Sequence, residues 1–232
     1  MCGRYTLTVT LEELMLRYMI GETAIPFHKP QYNIAPRQMI AAVVHDGANN
    51  RLGQLQWGLV PSWSDSPQQG HKMINARSES VFDKPAFKSL IRRRRCIIPA
   101  DGFYEWKLAA GGKQPMRIVM RDRSLFSLAG LYDIWQSPDG SRLSTCTILT
   151  TEPNELMAPI HNRMPVILQP EDEQLWLDRK LHSSKPIEPL LRPFPAELLE
   201  AYPVTAAVGN VKFDTAVCIE PALIMDELFS DG

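Results

Sequence analysis

Cys96-Ile97-Ile98-Pro99-Ala100-Asp101-Gly102-Phe103-Tyr104-Glu105-Trp106-Lys107 reads as two β-strands around the turn residues Pro99-Ala100-Asp101-Gly102. On the second strand Glu105 stands between Tyr104 and Trp106. A lone strand glutamate is commonly a salt-bridge partner. In an aromatic setting its proton affinity rises, and it can act as acid and base near neutrality. Strands continue on both sides of this stretch. Residues 115–136 and 144–151 give three more, rich in Ile, Val, Leu and Phe, with turns at Arg121–Ser124 and Ser137–Gly140. Upstream, residues 39–46 and Leu52–Leu59 form a hairpin around Asp46-Gly47 and Asn49-Asn50, and Val166–Leu168 is a further short strand.

Helices are predicted at four places. Residues 11–20 carry a capping box of Thr10 and Glu13. Residues 84–95 place Pro85 in the first turn and Phe87, Leu90 and Ile91 on one face, with Arg92–Arg95 answering the helix dipole at the end. Asn154–Ile160 is a short helix capped by Asn154, and residues 171–181 are another. Residues 21–36 read as a loop, residues after 181 as proline-broken, and the last dozen as a loosely held tail. No internal repeat or linker splits the chain.

Length and composition suit one large domain with a sizeable core: 232 residues, 44% hydrophobic and 22% charged. No apolar run reaches transmembrane length and no secretory signal pattern is present, which places the chain in the cytoplasm. Cys2, Cys96, Cys146 and Cys218 form no CxxC pair, against a zinc ribbon or disulfide framework and in keeping with a reducing compartment. The net charge of −1 is unevenly spread. Residues 72–123 hold 13 Lys/Arg and 5 Asp/Glu, while residues 124–232 hold 7 and 16. The basic block is either an anion site or one half of internal pairing.

Several residues carry chemistry. Cys2 follows the initiator methionine, which is commonly removed before a small residue. Removal leaves an α-amine and a thiol on adjacent carbons. An α-amine has a pKa near ~7.7–8.0, against ~10.4 for lysine, so it can attack an aldehyde at neutral pH. The neighbouring thiol can then close a ring on the imine, or the thiolate alone can act as nucleophile. Trp57-Gly58-Leu59-Val60-Pro61-Ser62-Trp63 puts Trp63 in a polar loop, where an exposed ring can stack on a base. Asn75, between Ile74 and Ala76, is partly buried and is either a hydrogen-bond hub or a substrate clamp. His161 stands at a helix-to-strand junction suited to proton transfer.

Taken in order and spacing, Cys2-Gly3-Arg4, Tyr32-Asn33-Ile34-Ala35-Pro36, Trp57-Gly58, Asn75-Ala76-Arg77-Ser78-Glu79, Ala100 to Trp106, His161-Asn162-Arg163-Met164-Pro165 and Val208-Gly209-Asn210-Val211 resemble the SOS-response-associated peptidase (SRAP) family from Cys2 to about Pro221. The resemblance implies an α+β fold: one domain over 1–221 with antiparallel β-sheets around a core flanked by helices, and a tail at 222–232. It implies recognition of abasic sites in single-stranded DNA and a covalent thiazolidine crosslink through Cys2 that shields the lesion. Implied roles are Cys2 as nucleophile, Asn75 positioning amine and sugar, Glu105 moving protons, and His161 assisting sugar opening and reversal. DNA contacts implied are Arg4, Arg77 and Arg163 at phosphates and Trp63 and Trp106 at bases. No metal or organic cofactor is implied, and the chain is expected to be a monomer, nucleoid-associated if bacterial. Relatives often carry two adjacent tryptophans where this chain has only Trp63. Two alternatives stay open: a cysteine peptidase or autopeptidase using Cys2, His161 and Asn75, and a non-covalent single-stranded DNA-binding module.

Overall fold

The computed structural model describes residues 2–222 apart from 24, 26, 27 and 110. The expected tail therefore lies, beyond Ala222, outside the described residues, as does Met1. In chain order the strands and helices are β1 (Tyr5–Leu7), α1 (Leu11–Arg17), β2 (Gln31–Ile34), β3 (Met39–His45), β4 (Asn50–Trp57), β5 (Asn75–Arg77), α2 (Pro85–Lys88), α3 (Leu90–Arg93), β6 (Arg95–Ala100), β7 (Gly102–Ala109), β8 (Gly112–Met120), β9 (Phe126–Gln136), β10 (Arg142–Thr151), β11 (Met164–Pro165), β12 (Ile167–Leu168), α4 (Glu173–Leu177) and β13 (Leu199–Pro203). The α+β class holds, with mostly antiparallel sheets.

Two sheets share the strands. The smaller runs β13-β8-β7-β1-β2, the larger β11-β10-β4-β3-β6-β9-β12. β9 also pairs with β10, which closes the larger sheet on itself. Closure removes the exposed edges that strands 6–11 residues long would otherwise present. The two strands of the opening stretch belong to different sheets: β6 pairs with β9, and β7 with β8 and β1. Asp101 alone makes the switch. Its buried carboxylate accepts from the hydroxyl of Thr6, from Thr8 N–H (2.6 Å) and Oγ1 (2.5 Å), and from Arg117 (3.3 Å). Gly102 is required there, because a Cβ would lie 2.7 Å from Arg117 Nε.

The core lies between the sheets and around Tyr5, Trp57, Phe103 and Trp176, all fully buried. The Tyr5 and Trp57 rings meet edge to face with centroids 5.5 Å apart. Trp176 Nε1 donates to Cys96 O (2.8 Å), which satisfies the one polar group the indole buries.

The structure corrects several sequence expectations. The 84–95 helix is two short pieces, and Arg95 is a strand residue, paired with Leu131 in β9. The apolar run Cys96–Ile98 gains more from sheet pairing in the core than from another helical turn. Arg95 is buried and donates to the carbonyls of Trp176 (2.6 Å), Ile91 (2.7 Å), Asp178 and Leu181 (3.2 Å), so it is neither solvated nor a phosphate ligand. Residues 154–160 make hydrogen-bonded turns and no regular helix, although Asn154 Oδ1 does cap Met157 N–H (2.9 Å). The 171–181 helix shrinks to α4, stopped where Asp178 turns extended. β1, β5 and β11 went unpredicted, as did β2 and β13. β2 lies inside the supposed loop, and β13 inside the proline-broken stretch. Both are edge strands of the small sheet, where proline is tolerated because one side of the strand has no ladder to serve. The α1 capping box and the β3–β4 hairpin are as predicted. The pairings of β10 with β4 and β5 are parallel, an exception to the antiparallel rule.

Candidate functional site

The site forms where the N-terminus, β5, β7 and the loop before β11 meet. Cys2 precedes β1 and is fully buried. Asn75 opens β5 and its Nδ2 donates to Cys2 O at 2.9 Å, which fixes the backbone of the residue that carries the thiol. Asn75 Oδ1 is buried with no hydrogen-bond partner among the described residues. Glu105, 2% exposed on β7, has its Oε2 3.9 Å from His161 Nε2. Burial pushes the Glu105 carboxyl above its ordinary value of 4.5, while nearby His161 acts in the opposite sense. Burial, reinforced by the Glu105 charge, pushes the Cys2 thiol far above its ordinary value. Burial thus favours the protonated thiol.

His161 is held by its own loop. Arg163 N–H donates to His161 Nδ1 at 3.0 Å, and Arg163 O lies 3.2 Å from the same nitrogen. A nitrogen that accepts from N–H carries no proton, so neutral His161 holds its proton on Nε2, facing Glu105. On protonation the ring can donate from Nδ1 to Arg163 O instead. The loop thus serves both charge states of the imidazole.

An open cleft of about 690 Å³ lies beside this group, lined by Arg77, Glu79, Ser80, His161, Asn162 and Arg163. Arg77 on β5 is exposed. Arg163 forms a two-point pair with Glu79 (2.5 and 3.0 Å) and donates to Thr150 O (2.6 Å). That pair holds Glu79 below its ordinary value. Arg4 reaches Asn33 Oδ1 (3.0 Å) and the carbonyls of Val208 (2.6 Å) and Gly209 (3.3 Å). Asn33, fully engaged, also donates to the carbonyls of Val208, Asn210 and Phe213. The Arg4 guanidinium thus bonds oxygens of neutral groups, and its charge is not cancelled by a carboxylate in these contacts.

Trp63 is 62% exposed, on a loop anchored by Ser62 N–H to Asp133 (2.8 Å) and by Trp135 Nε1 to Ser64 O (2.6 Å). Trp106 is half-buried against the cluster of Tyr104, Val204, Val208 and Cys218. Neither ring lines the 690 Å³ cleft. The structure therefore brings together Cys2, Asn75, Glu105, His161, Arg77 and Arg163, and sets Trp63 and Trp106 outside that group. Sequence reasoning missed Glu79 and Asn33 as partners of Arg163 and Arg4. Both stand inside motifs already singled out, and an acidic residue two positions after Arg77 and a polar amide between Tyr32 and Ile34 were the available signals.

Buried Cys2, an amide on its carbonyl and a carboxylate–imidazole pair thus stand together on this two-sheet frame. The chain belongs to the SOS response associated peptidase (SRAP) family, which residues 1–211 match. It is 46% identical over 224 residues to the abasic site processing protein YoqW of Bacillus subtilis (strain 168), covering 95% of this chain and 99% of that one. It is 33% identical over 226 residues to the abasic site processing protein HMCES of Gallus gallus, covering 84% of this chain and 67% of that one. A crystal structure of a Bacteroides thetaiotaomicron protein superimposes with a TM-score of 0.86 at 28% identity, covering 96% of this chain and all of that one. Among the described residues no helix is long and apolar enough to cross a membrane.

Proposed function

We propose that this chain recognises abasic sites in single-stranded DNA and captures them covalently through Cys2, as part of a DNA damage response. The observation that carries this is the meeting of Cys2, Asn75, Glu105 and His161 at one point, beside a cleft with two arginines. The names of the relatives point the same way.

The chemistry needs Met1 to be released, so that the α-amine of Cys2 is free. The amine attacks C1′ of the open-chain aldehyde and forms a C–N bond. The nitrogen gives up two protons, relayed through acid–base groups, and they convert the aldehyde oxygen into water, which leaves an imine. The Cys2 thiol then adds to the imine carbon. A C–S bond forms, the thiol proton passes to nitrogen, and a five-membered ring closes with net loss of one water. A neutral thiol suits this order, because it is asked to react only after the imine exists, and as an intramolecular partner. Glu105, its proton affinity raised by burial, takes and returns protons at the amine and the departing oxygen. His161 presents Nε2–H as the donor to the sugar ring oxygen on opening. Asn75 holds the Cys2 backbone, and its open Oδ1 can accept from the amine.

Arg77 is the exposed phosphate ligand, Arg163 exchanges Glu79 for a phosphate, and Arg4 adds uncancelled positive charge beside the N-terminus. Trp63 and Trp106 offer faces for bases flanking the lesion. Autocatalytic release of Met1 draws on the same residues, with Cys2 as nucleophile.

The test mixes the Met1-free protein with a single-stranded oligonucleotide bearing one abasic site, followed by a denaturing gel and intact mass. The expected product is protein plus DNA minus one water. A protein with a stably blocked N-terminus should bind the same DNA and give no heat-resistant adduct; an adduct from it removes the α-amine from the mechanism. Cys2→Ser should give only a borohydride-trappable imine. A mass change confined to Met1 loss, with no DNA adduct, leaves a peptidase alone.

A further inference from the structure

We infer a second phosphate-binding subsite, centred on Arg37, that holds the DNA strand away from the lesion; it rests on the single-stranded DNA reading above. Arg37 lines a cleft of about 260 Å³ together with Gln56, Trp57, Gln68 and His71. Three features of the cleft point to an anionic ligand.

The first is the backbone. Arg37 has φ of +77°, in the left-handed region that non-glycine residues rarely occupy. Arg37 N–H donates to Trp57 O (2.7 Å), and Ala35 N–H to Gln38 Oε1 (3.0 Å), so the turn is held in this shape from both sides. A strained turn that carries a long cation, and not glycine, marks a side chain with a use. The second is that the Arg37 side chain makes no hydrogen bond or ion pair among the described residues, and it is exposed. Its five donors are available to the oxygens of a phosphate, and the amides of Gln56 and Gln68 and the ring of His71 add donors around it. No carboxylate lines the cleft.

The third is alignment with the main site. β4 and β5 both pair with β10 on the same edge: Trp57 lies opposite Cys146, and Asn75 and Arg77 lie opposite Ile148 and Thr150. Cys146, Ile148, Thr150 and Trp57 are buried, so the register fixes a spacing, from the Trp57 carbonyl that holds Arg37 to the exposed Arg77. From Cys146 to Thr150 is four residues, roughly 13 Å along the strand. That matches roughly four stacked nucleotides. Trp57 Nε1 donates to Ile74 O (2.9 Å), and the exposed Trp63 stands on the loop between the two clefts in sequence. A single strand of that length held at Arg77 would reach the Arg37 turn.

The test uses Arg37→Gly and Arg37→Asn, because both residues accept a left-handed backbone and remove only the cation. Non-covalent affinity is measured against salt with abasic oligonucleotides about 4 and about 16 nucleotides long, the range a compact single-strand binder spans. The expected result is that both variants lower the salt slope by roughly 0.7 on the long oligonucleotide and leave the short one unchanged. Crosslinking of the short one should also be unchanged. Equal slopes for variant and wild type on the long DNA overturn the subsite. An equal loss on both lengths also overturns it, because Arg37 would then belong to the lesion site. Wild-type protein that binds neither DNA overturns the functional reading itself, which separates the two failures.

Discussion

Glu105 is the residue at which stability and chemistry pull apart. A buried carboxylate whose proton affinity is raised in the folded state favours its neutral form there. The sign of its linkage follows. Unfolded, it ionises near its ordinary value; folded, it resists. Its stabilising contribution is therefore full at acid pH and is lost as pH rises through the folded value. Glu105→Gln should raise the melting temperature at neutral pH, with the gain closing below about pH 4, where both states hold the proton. The same change should slow crosslinking strongly while binding is nearly kept, because a proton shuttle acts on the barrier. Melting curves at several pH values and single-turnover gels check the two halves. A variant less stable at neutral pH would mean that Glu105 is held in its charged form by compensating contacts.

His161 offers a test that needs no mutation. Arg163 N–H at 3.0 Å requires an unprotonated Nδ1 in the neutral ring. Nitrogen-15 NMR of the imidazole at alkaline pH should report a pyridine-like Nδ1 and a pyrrole-like Nε2. The reverse tautomer would remove His161 as the donor to the sugar oxygen.

At the scale of elements, the fold turns on the step from β6 to β7. One residue carries the chain from the large sheet to the small one, and the Asp101–Arg117 pair that holds the step is 8% exposed on each side. Removing one partner leaves the other charge buried and uncompensated. Asp101→Ala should cost about 3–5 kcal/mol, and Asp101→Asn less because it keeps the shape and one acceptor. Urea unfolding measures both. The consequence for function is direct, since β7 brings Glu105 to His161 and β1, its neighbour, brings Cys2. A destabilised switch should blur the distance between these groups before the protein unfolds.

For the whole molecule, the proposed DNA binding rests on the charge pattern. Of the basic block at 72–123, Arg95 is spent on carbonyls in the core, Arg94 on Asp133 (2.6 Å) and Arg117 on Asp101, so much of its excess never faces a ligand. Arg77 remains exposed beside the cleft. Arg77→Ala should lower the salt slope of binding by about 0.7 and leave the abasic preference intact. Fluorescence anisotropy at several salt concentrations checks this. A salt-independent affinity would mean that the cleft is not a phosphate surface.

The sequence by itself determined the longer strands β3, β4 and β6 to β10, because alternating and continuous apolar runs between turn residues leave the backbone little choice, while the shorter β1, β2, β5, β11 and β13 escaped it. It determined the capping box of α1, and it exposed Cys2, Asn75, Glu105 and His161 as odd residues for their places. It did not reveal that Ala100 and Gly102 belong to different sheets, because that depends on Thr6, Thr8 and Arg117 arriving from elsewhere in the chain. Nor did it reveal that Arg95 leaves its helix. Local propensity favoured another helical turn, and only pairing with β9 and three distant carbonyl contacts overrode it. The distances within the site were likewise decided by tertiary structure. Side chains from residues 2, 75, 105 and 161 meet only once the two sheets pack, and burial then sets the protonation of Cys2 and Glu105. Types of residue are written locally. Proximity and desolvation are properties of the folded chain, which is why candidate residues could be picked out in the sequence and their geometry could not.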